Sequence, residues 1–329
     1  MVDADELRIV QEQLEDLHRK HSEGHDDEVA SFYPPEAADE PQVFGVAGTN
    51  VDGTQWSIGD CGVRFPLHSV SKVFTYALAL EDNGRTEVMR SVGVEPSGDP
   101  FNSITFDEAH NRPHNPMINA GALVTASLVH GMDTAEQVER IVEKYRLYTG
   151  NPDLAVDQEI LAEQLGSNDR NLGLCYLMRS LGMLNGDIDR VIEVYLSACS
   201  ITVNARELSV MGATLARGGL NPMTGERAVP RHLVRDVVSV MMSCGMYDAA
   251  GQWANEVGIP AKSGVSGGIV CVLPEYFGFA TYAPGLDVHG NSVRGVALCR
   301  DLSETFGLHL FADPAESVFG RIAQPGRSA

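Results

Sequence analysis

The stretch FPLHSVSKVFTYALAL, residues 65–80, carries polar side chains at the start of an apolar helical segment. Its apolar residues recur at helical spacing: Val70, Val73, Phe74, Ala77 and Leu78. Ser69 and Lys72 lie three positions apart, which makes their side chains neighbours on a helix. The pattern predicts a helix that begins near His68 and ends at Asn83-Gly84, a typical C-terminal stop.

The pairing of Ser69 with Lys72 suggests nucleophilic catalysis. A serine hydroxyl is a weak nucleophile until a base removes its proton. Lysine is protonated in water, but burial disfavours the charged form and lowers the pKa. A buried Lys72 could therefore serve as the base, as in serine–lysine variants of the serine hydrolases. Taken alone, Ser-x-x-Lys is also typical of an N-cap serine beside an exposed lysine.

A second motif lies in GIPAKSGVSGGI, residues 258–269. Lys262-Ser263-Gly264 resembles the Lys-Thr-Gly element that accompanies Ser-x-x-Lys in penicillin-recognising enzymes. Glycines let a backbone approach a substrate closely, so the N–H of Val265 could face an oxyanion. The alternative is a glycine-rich turn before an edge strand. Of the 24 basic residues only four are lysines, and two of these four lie in the two motifs.

Composition excludes several classes of function. The chain has 329 residues, 43% of them hydrophobic and 21% charged, which is typical of a soluble globular protein. It contains no apolar run long enough to predict a membrane span, and its acidic start does not resemble a secretory signal. We therefore expect a cytoplasmic protein. A net charge of −21 disfavours nucleic-acid binding and suggests the hypothesis of salt tolerance, which activity measured against salt concentration would test.

The cysteines and histidines do not indicate a cofactor. The six cysteines are scattered and form no Cys-x-x-Cys pair, so we expect reduced, mostly buried thiols. His110 and His114 flank a proline and are at most a chance pair of metal ligands. No ligand set with supporting partners can be drawn, and we expect neither a metal nor another cofactor.

Periodicity predicts an α+β protein. Residues 4–22 read as a surface helix, and residues 41–65 as a β-hairpin that turns at Asp52-Gly53. The pattern from about residue 105 to 250 is mainly helical. Strands are expected again in GGIVCVLP, FGFATYAP and NSVRGVALCR, followed by a helix over about 301–311. N- and C-terminal strands would form one antiparallel sheet, with a helical subdomain inserted between them.

Longer motifs identify a family. The segments HSVSK, HNPMINAGAL, NDRNLGL, LSVMGATLARGGLNPMTGER, MMSCGMYDAAGQWA and GIPAKSGVSGG occur in the order found in serine-dependent glutaminases. The chain resembles that family throughout residues 29–312. The resemblance implies a β-lactamase/penicillin-binding-protein-like fold and hydrolysis of L-glutamine to L-glutamate and ammonia. It also implies that no metal is needed and that the protein assembles as a homodimer or homotetramer.

The resemblance also divides the chain. Residues 1–312 would form the catalytic domain, and residues 313–329 a tail or linker. Within the domain, a sheet subdomain would comprise about residues 26–66 and 225–312. A helical subdomain would comprise about residues 67–224.

Site residues follow from the resemblance position by position. The implied catalytic residues are Ser69 as nucleophile, Lys72 as its base, Tyr247 as a proton relay, and Tyr33 beside the serine. The backbone N–H groups of Ser69 and Val265 would form an oxyanion hole. The amino-acid end of glutamine would be held by Asn119, Asn171 and Tyr195. Without the resemblance, the asparagines and tyrosines would be interpreted as capping residues and buried aromatics.

One position departs from the family pattern. The family places a glutamate seven residues before the asparagine that corresponds to Asn171, where it pairs with the substrate's α-ammonium. Gln164 occupies that position here, and Glu163 lies one residue earlier. Either Glu163 reaches the site through a one-residue shift or Gln164 occupies it. We expect Glu163, because an ammonium group held out of water needs a counter-charge.

Two other functions remain compatible with these residues. The chain could be a β-lactamase or peptidase-like serine hydrolase of the same fold, which would cleave a chromogenic β-lactam and release no ammonia from glutamine. It could also be a non-catalytic glutamine-binding protein, which would bind glutamine tightly without turnover.

Overall fold

The computed structural model describes residues 4–22, 42–99 and 103–313, with side chains from residue 9 onward in the first range. The helices of these ranges are α1 (Ala4–Ser22), α2 (Ser71–Ser91), α3 (Asn119–Ser127), α4 (Thr134–Thr149), α5 (Gln158–Gly166), α6 (Asp169–Ser180), α7 (Ile188–Cys199), α8 (Ala205–Ala216), α9 (Arg231–Cys244), α10 (Ala250–Glu256) and α11 (Val293–Phe306). The strands are β1 (Gly45–Asn50), β2 (Gln55–Gly59), β3 (Phe65–Pro66), β4 (Thr202–Val203), β5 (Ala261–Ser263), β6 (Gly268–Leu273) and β7 (Phe277–Tyr282). Short 3₁₀ turns span His68–Val70 and Tyr247–Ala249.

Strands from both ends of the chain form one sheet. The strand order is β2-β1-β7-β6-β5, and each neighbouring pair is antiparallel. β1 lies between β2 and β7, so that Gly45 faces Gly59 on one side and Tyr282 on the other. The predicted antiparallel sheet built from N- and C-terminal segments is therefore confirmed.

Helices cover both faces of this sheet. Alternate residues of β6 contribute to two different cores: Val270 and Val272 to the larger helical core, and Ile269 and Cys271 to the core beneath α1, α10 and α11. Burial on both faces explains why this strand is a continuous apolar run without alternation. On the face of the sheet that carries the larger core, α8 packs directly on the strands. The two backbones are so close that a Cβ on Gly278 would lie 2.1 Å from the backbone nitrogen of Ala213.

Helix α2 lies at the centre of the larger core. Every residue from Ser71 to Leu80 is buried, including the face that holds Lys72 and Tyr76. The predicted stop at Asn83-Gly84 is a break rather than an end. Gly84 has φ 76° and ψ 156°, outside the helical region, and a second helical segment continues to Ser91. A glycine accepts this conformation without the Cβ clash that other residues would suffer.

The prediction for the C-terminal segment was wrong. NSVRGVALCR forms the start of α11 instead of a strand, and the helix ends at Phe306 instead of 311. The Ser292 side chain accepts a hydrogen bond from Gly295 N and caps the helix. Leu298 and Leu302 then recur at helical spacing on the buried face. The apolar and polar residues of the segment fit both periodicities over so short a stretch.

The described residues test only some of the remaining predictions. Tyr33 and residues 314–329 lie outside the described residues. The six cysteines are free and buried, as predicted. None of the helices in the described ranges has the length and apolar character needed to cross a membrane. The boundaries of the sheet and helical subdomains stay a prediction.

Candidate active site

Ser69 lies in a tightly packed turn between the sheet and the helical layer. The preceding residue, His68, has φ 43°, in the left-handed region that non-glycine residues seldom occupy. The turn is held by Leu67 N, which donates to Ile201 O at 2.9 Å, and by Val70 N, which donates to Leu67 O at 2.9 Å. Strained backbone of this kind is concentrated at functional sites, where the surrounding structure must hold it in place.

Lys72 points at Ser69 from the first turn of α2. Its Nζ lies 3.0 Å from Ser69 Oγ and donates a hydrogen bond to Asn119 Oδ1 at 2.6 Å. The predicted contact between the two side chains is therefore present. A neutral amine has two N–H donors and one lone pair. With one donor engaged by Asn119, the lone pair is available to the serine hydroxyl.

Burial sets the charge of this amine. Lys72 is 2% exposed, and burial lowers its pKa to about 8, with Cys199 opposing the shift. The adjacent His68 is also buried, and burial together with the nearby Lys72 lowers its pKa to about 3. His68 therefore stays neutral in the pH range where Lys72 titrates. A lysine whose pKa lies near the working pH is suited to act as a general base.

Tyr247 also contacts Ser69. Its backbone is also left-handed, with φ 57°, in the 3₁₀ turn that precedes α10. The hydroxyl donates to Ser263 O at 3.2 Å and is hydrogen-bonded to Ser69. Burial raises the pKa of Tyr247 to about 12, against the lowering effect of these bonds. The phenol is therefore protonated at neutral pH and can pass a proton to an atom bound beside Ser69.

Three of the predicted substrate-binding residues converge on one amide. Asn119 Nδ2 donates to Asn171 Oδ1 at 3.3 Å, and the Tyr195 hydroxyl lies 3.5 Å from Asn119 Oδ1. The residues come from three different helices, α3, α6 and α7. Asn119 and Asn171 remain partly exposed beside the buried Lys72. The arrangement offers amide and hydroxyl groups to a polar ligand next to Ser69.

The turn after β5 brings Val265 to the same place. Gly264 N donates to Gly268 O at 2.9 Å, which closes a tight turn between β5 and β6. A Cβ on Gly264 would lie 2.9 Å from Leu67 O and 3.2 Å from Val70 Cγ2. The turn therefore packs backbone-to-backbone against the segment that carries Ser69. Val265 follows Gly264 directly in this turn, so its backbone also lies close to the segment of Ser69.

The structure separates the two candidates for the ammonium partner. Glu163 is exposed on α5, whereas Gln164 is half-buried and its Nε2 donates to Ser200 Oγ at 2.9 Å. Ser200 precedes Ile201, whose carbonyl holds the Ser69 turn. This placement favours Gln164 over Glu163 as the residue linked to the site. Among the described residues, no group of three His, Cys, Asp or Glu side chains is placed to hold a metal ion.

Comparison with known proteins decides the family. The family model described as Glutaminase matches residues 28–311. The chain belongs to the glutaminase family. The glutaminase of Microcystis aeruginosa is 47% identical over 295 residues, which cover 90% of this chain and 87% of that protein. The glutaminase of Trichormus variabilis is 45% identical over 298 residues, covering 91% and 89% of the two chains.

Solved glutaminase structures share the architecture. The probable glutaminase YbaS superposes with a TM-score of 0.88 at 36% identity, covering 94% of this chain and 99% of that one. Mglu in its glutamate form gives a TM-score of 0.86 at 44% identity, covering 92% and 69%. The predicted α+β, β-lactamase/penicillin-binding-protein-like fold is confirmed, and so is the resemblance to serine-dependent glutaminases.

The tight packing of Gly264 in this glutaminase-family site leads to a first prediction. We expect Gly264→Ala to lower kcat about 100-fold, because the added methyl group pushes the Val265 N–H away from Ser69 and weakens one oxyanion donor. Steady-state ammonia release measures the effect, and thermal unfolding measures any loss of stability. Gly251→Ala is the matched control, since a Cβ there meets nothing within 4 Å. A Gly264→Ala variant with wild-type kcat would contradict the close approach.

Two features of the site were not among the predicted site residues. Tyr145 lies in the stretch predicted as mainly helical. Its hydroxyl donates to Ser71 O at 2.7 Å, and Ser71 Oγ donates to His68 O at 2.6 Å. These bonds hold the left-handed turn from behind. Lys262 was noted only as part of a motif, although the scarcity of lysine was a signal. Its side chain is fully buried against Tyr247.

Proposed function

We propose that this protein hydrolyses the side-chain amide of L-glutamine to L-glutamate and ammonia, with Ser69 as nucleophile and Lys72 as base. The observation that carries the proposal is the 3.0 Å separation of Lys72 Nζ from Ser69 Oγ inside a chain of the glutaminase family. The fully buried amine is available in its neutral form near pH 8. A non-catalytic glutamine-binding protein would have no need for such a pair.

The first half of the reaction forms an acyl-enzyme. Ser69 Oγ attacks the Cδ carbonyl of glutamine while Lys72 Nζ takes the hydroxyl proton. The carbonyl oxygen becomes an oxyanion, which the backbone N–H groups of Ser69 and Val265 stabilise. Each such donor typically contributes about 3 kcal/mol to the transition state. Their position on tightly packed backbone keeps them oriented before the substrate arrives.

The leaving group then needs a proton. The tetrahedral intermediate collapses, the C–N bond breaks, and ammonia leaves with a proton passed from Lys72 through the Tyr247 hydroxyl. Tyr247 can serve because its phenol is hydrogen-bonded to Ser69. In the second half, Lys72 takes a proton from water, and the resulting hydroxide attacks the glutamyl ester. Glutamate is released and Ser69 regains its proton.

We assign the binding of the substrate's amino-acid end to the polar side chains near Lys72. Asn119, Asn171 and Tyr195 present donors and acceptors suited to an α-carboxylate and an α-ammonium group. Solved Mglu structures in the glutamate form show that a relative of this chain binds the amino-acid product. We assign the same ligands, L-glutamine and L-glutamate, to this site.

Gln164 and Glu163, the two candidate partners of the substrate's α-ammonium group, are neighbours on α5 and give a second prediction. We expect Gln164→Ala to raise KM for glutamine about 10-fold, because its inward side chain is tied to Ser200 beside the Ser69 turn. Glu163→Ala is the matched control and should change KM less than about threefold, since an exposed charge interacts weakly across water. Steady-state kinetics at constant ionic strength measure both. The reverse ranking would restore Glu163, the residue expected from the sequence.

The pKa of Lys72 gives a third prediction. Only the neutral amine can accept the Ser69 proton, so the rate should rise with pH until Lys72 is deprotonated. We expect kcat/KM to increase about tenfold per pH unit below about pH 8 and to level off above it. Ser69, Asn119, Tyr195 and Cys199 lie beside the amine, and the buried His68 and Lys262 interact with it electrostatically. A flat profile between about pH 6 and 9, with the protein still folded by circular dichroism, would contradict the neutral-base role.

An ammonia-release assay tests the function itself. Purified protein is supplied with L-glutamine, L-asparagine or a chromogenic β-lactam, with and without phosphate. Ammonia from glutamine supports the proposal, whereas hydrolysis of the β-lactam alone would favour the alternative serine hydrolase. Tight glutamine binding without ammonia would favour the non-catalytic alternative. The homodimer or homotetramer, the cytoplasmic location and the salt tolerance stay predictions.

A further inference from the structure

A second buried lysine lies beside the proposed catalytic groups. Lys262 is on β5 and is 0% exposed. Its Nζ lies 3.8 Å from the centroid of the Tyr247 ring and donates to Ser263 O at 2.6 Å. The Tyr247 hydroxyl donates to the same carbonyl at 3.2 Å. One amine therefore contacts both the face of the ring and the acceptor that orients its hydroxyl.

This lysine has no evident structural reason to be a lysine. The hydrogen-bond acceptor of its amine is a backbone carbonyl rather than a carboxylate, and burying an amine without a counter-charge costs free energy. Burial and the neighbouring Lys72 hold its pKa well below the ordinary value. A methionine of similar length would fill the same space at lower cost. Retaining an amine here is better explained by what the amine contacts.

Tyr247 needs an external restraint. Its left-handed backbone, φ 57°, is a sparsely populated conformation for a residue with a bulky side chain. The position of its hydroxyl depends on the tilt of the ring, and the ring is held from one face by Lys262. An N–H donor over an aromatic face makes a weakly attractive contact, and a side chain packed there limits the tilt of the ring. Loss of that contact would let the hydroxyl turn away from Ser69.

We propose that Lys262 is a positioning residue that acts through Tyr247: it fixes the ring over β5 so that the phenol hydroxyl faces Ser69. The proposal rests on the proposed function, because the proton relay is assigned to that hydroxyl. The Ser263 carbonyl has two lone pairs and can accept from the amine and the phenol at once. Lys262 is fully buried, so we expect its loss to act on turnover rather than on glutamine binding.

A double-mutant cycle tests this route. The variants are Lys262→Met, Tyr247→Phe and the double variant, with Lys20→Met as control because Lys20 is exposed and distant from the site. We expect Lys262→Met to lower kcat at least 10-fold with KM changed less than about threefold. In the Tyr247→Phe background the same change should cost less than about threefold, because the hydroxyl that Lys262 positions is already absent. Non-additivity of this kind is the signature of two residues that act as a unit.

Three results would overturn the inference: a Lys262→Met variant within about threefold of wild-type kcat, losses that multiply in the double variant, or a Tyr247→Phe variant as active as wild type. If a thermal unfolding measurement shows that Lys262→Met is not folded, Lys262→Gln replaces it in the cycle. The rate at which a fluorophosphonate labels Ser69 is measured on every variant. That readout tests the Lys262–Tyr247 coupling even if the wild-type protein releases no ammonia from glutamine, an outcome that would reject the proposed function alone.

Discussion

Ser69→Ala should lower ammonia release from glutamine by at least about 10⁴-fold, the scale of loss seen when a hydrolase loses its nucleophile. The variant has no oxygen to form the acyl bond, and Ser71, the nearest serine along the chain, donates its hydroxyl to His68 O. Stability should hardly change, because Ser69 contributes a small side chain to a turn that its neighbours hold. Steady-state assays with high enzyme concentration measure the residual rate.

Glutamine binding separates this outcome from a general loss of structure. The amides assigned to the amino-acid end are untouched, so calorimetry should give a Kd for glutamine close to the wild-type KM. Ser239→Ala, an exposed serine on α9, is the matched control and should keep full activity. An active Ser69→Ala variant would reject the acyl-enzyme route. A variant that is inactive and also fails to bind glutamine would point to damage beyond the nucleophile.

Lys72→Arg should be almost as inactive, with a loss of at least about 10³-fold, although the substitution keeps the positive charge. Arginine cannot be deprotonated in a protein, so the side chain can donate hydrogen bonds but cannot accept the Ser69 proton. If Lys72 acted only as a charge, the arginine variant would retain activity. The assay is ammonia release, followed across pH, where the arginine variant should not recover at high pH.

The larger side chain of arginine could also inactivate the Lys72→Arg variant by steric crowding, because the site is closely packed. Lys72→Met keeps nearly the same length without the amine and should be equally inactive while remaining folded. Lys20→Arg is the surface control, since Lys20 is paired with Asp301 at the periphery. An active Lys72→Arg variant would refute the neutral-amine mechanism. Inactivity of arginine together with full activity of methionine would show that crowding alone caused the loss.

Local patterning predicted much of this fold because its signals are short-range. The apolar spacing of residues 70–78 and the nearby serine and lysine are local on a helix, so their contact follows from geometry. The strands β6 and β7 are apolar runs bounded by turns. The prediction of a strand for NSVRGVALCR was wrong because ten residues fit both the strand and the helix periodicity. The N-cap at Ser292 favours the helix. The continuation of α2 past Gly84 depends on packing that the local pattern does not contain.

Contacts between distant segments were beyond local reasoning. The approach of Gly264 to Leu67, and of Tyr145 to Ser71, joins residues far apart in the chain. The resemblance brought Val265 and Tyr247 to the site, but it could not show that Lys262 lies over the Tyr247 ring. The choice between Glu163 and Gln164 likewise depended on which face of α5 is inward. A one-residue offset on a helix turns a side chain by about 100°.

The pairing of β1 with β7 has a consequence for how the protein is made. Residues 45–50 leave the ribosome long before their partner strand, which ends at Tyr282, more than two hundred residues later. The turn after β5 that completes the site is likewise synthesised long after Ser69. Non-local pairing of this kind cannot form until both segments are available. A nascent chain therefore carries its serine and lysine without a working site until the later strands have been made, and amide hydrolysis begins only when β7 has joined the sheet.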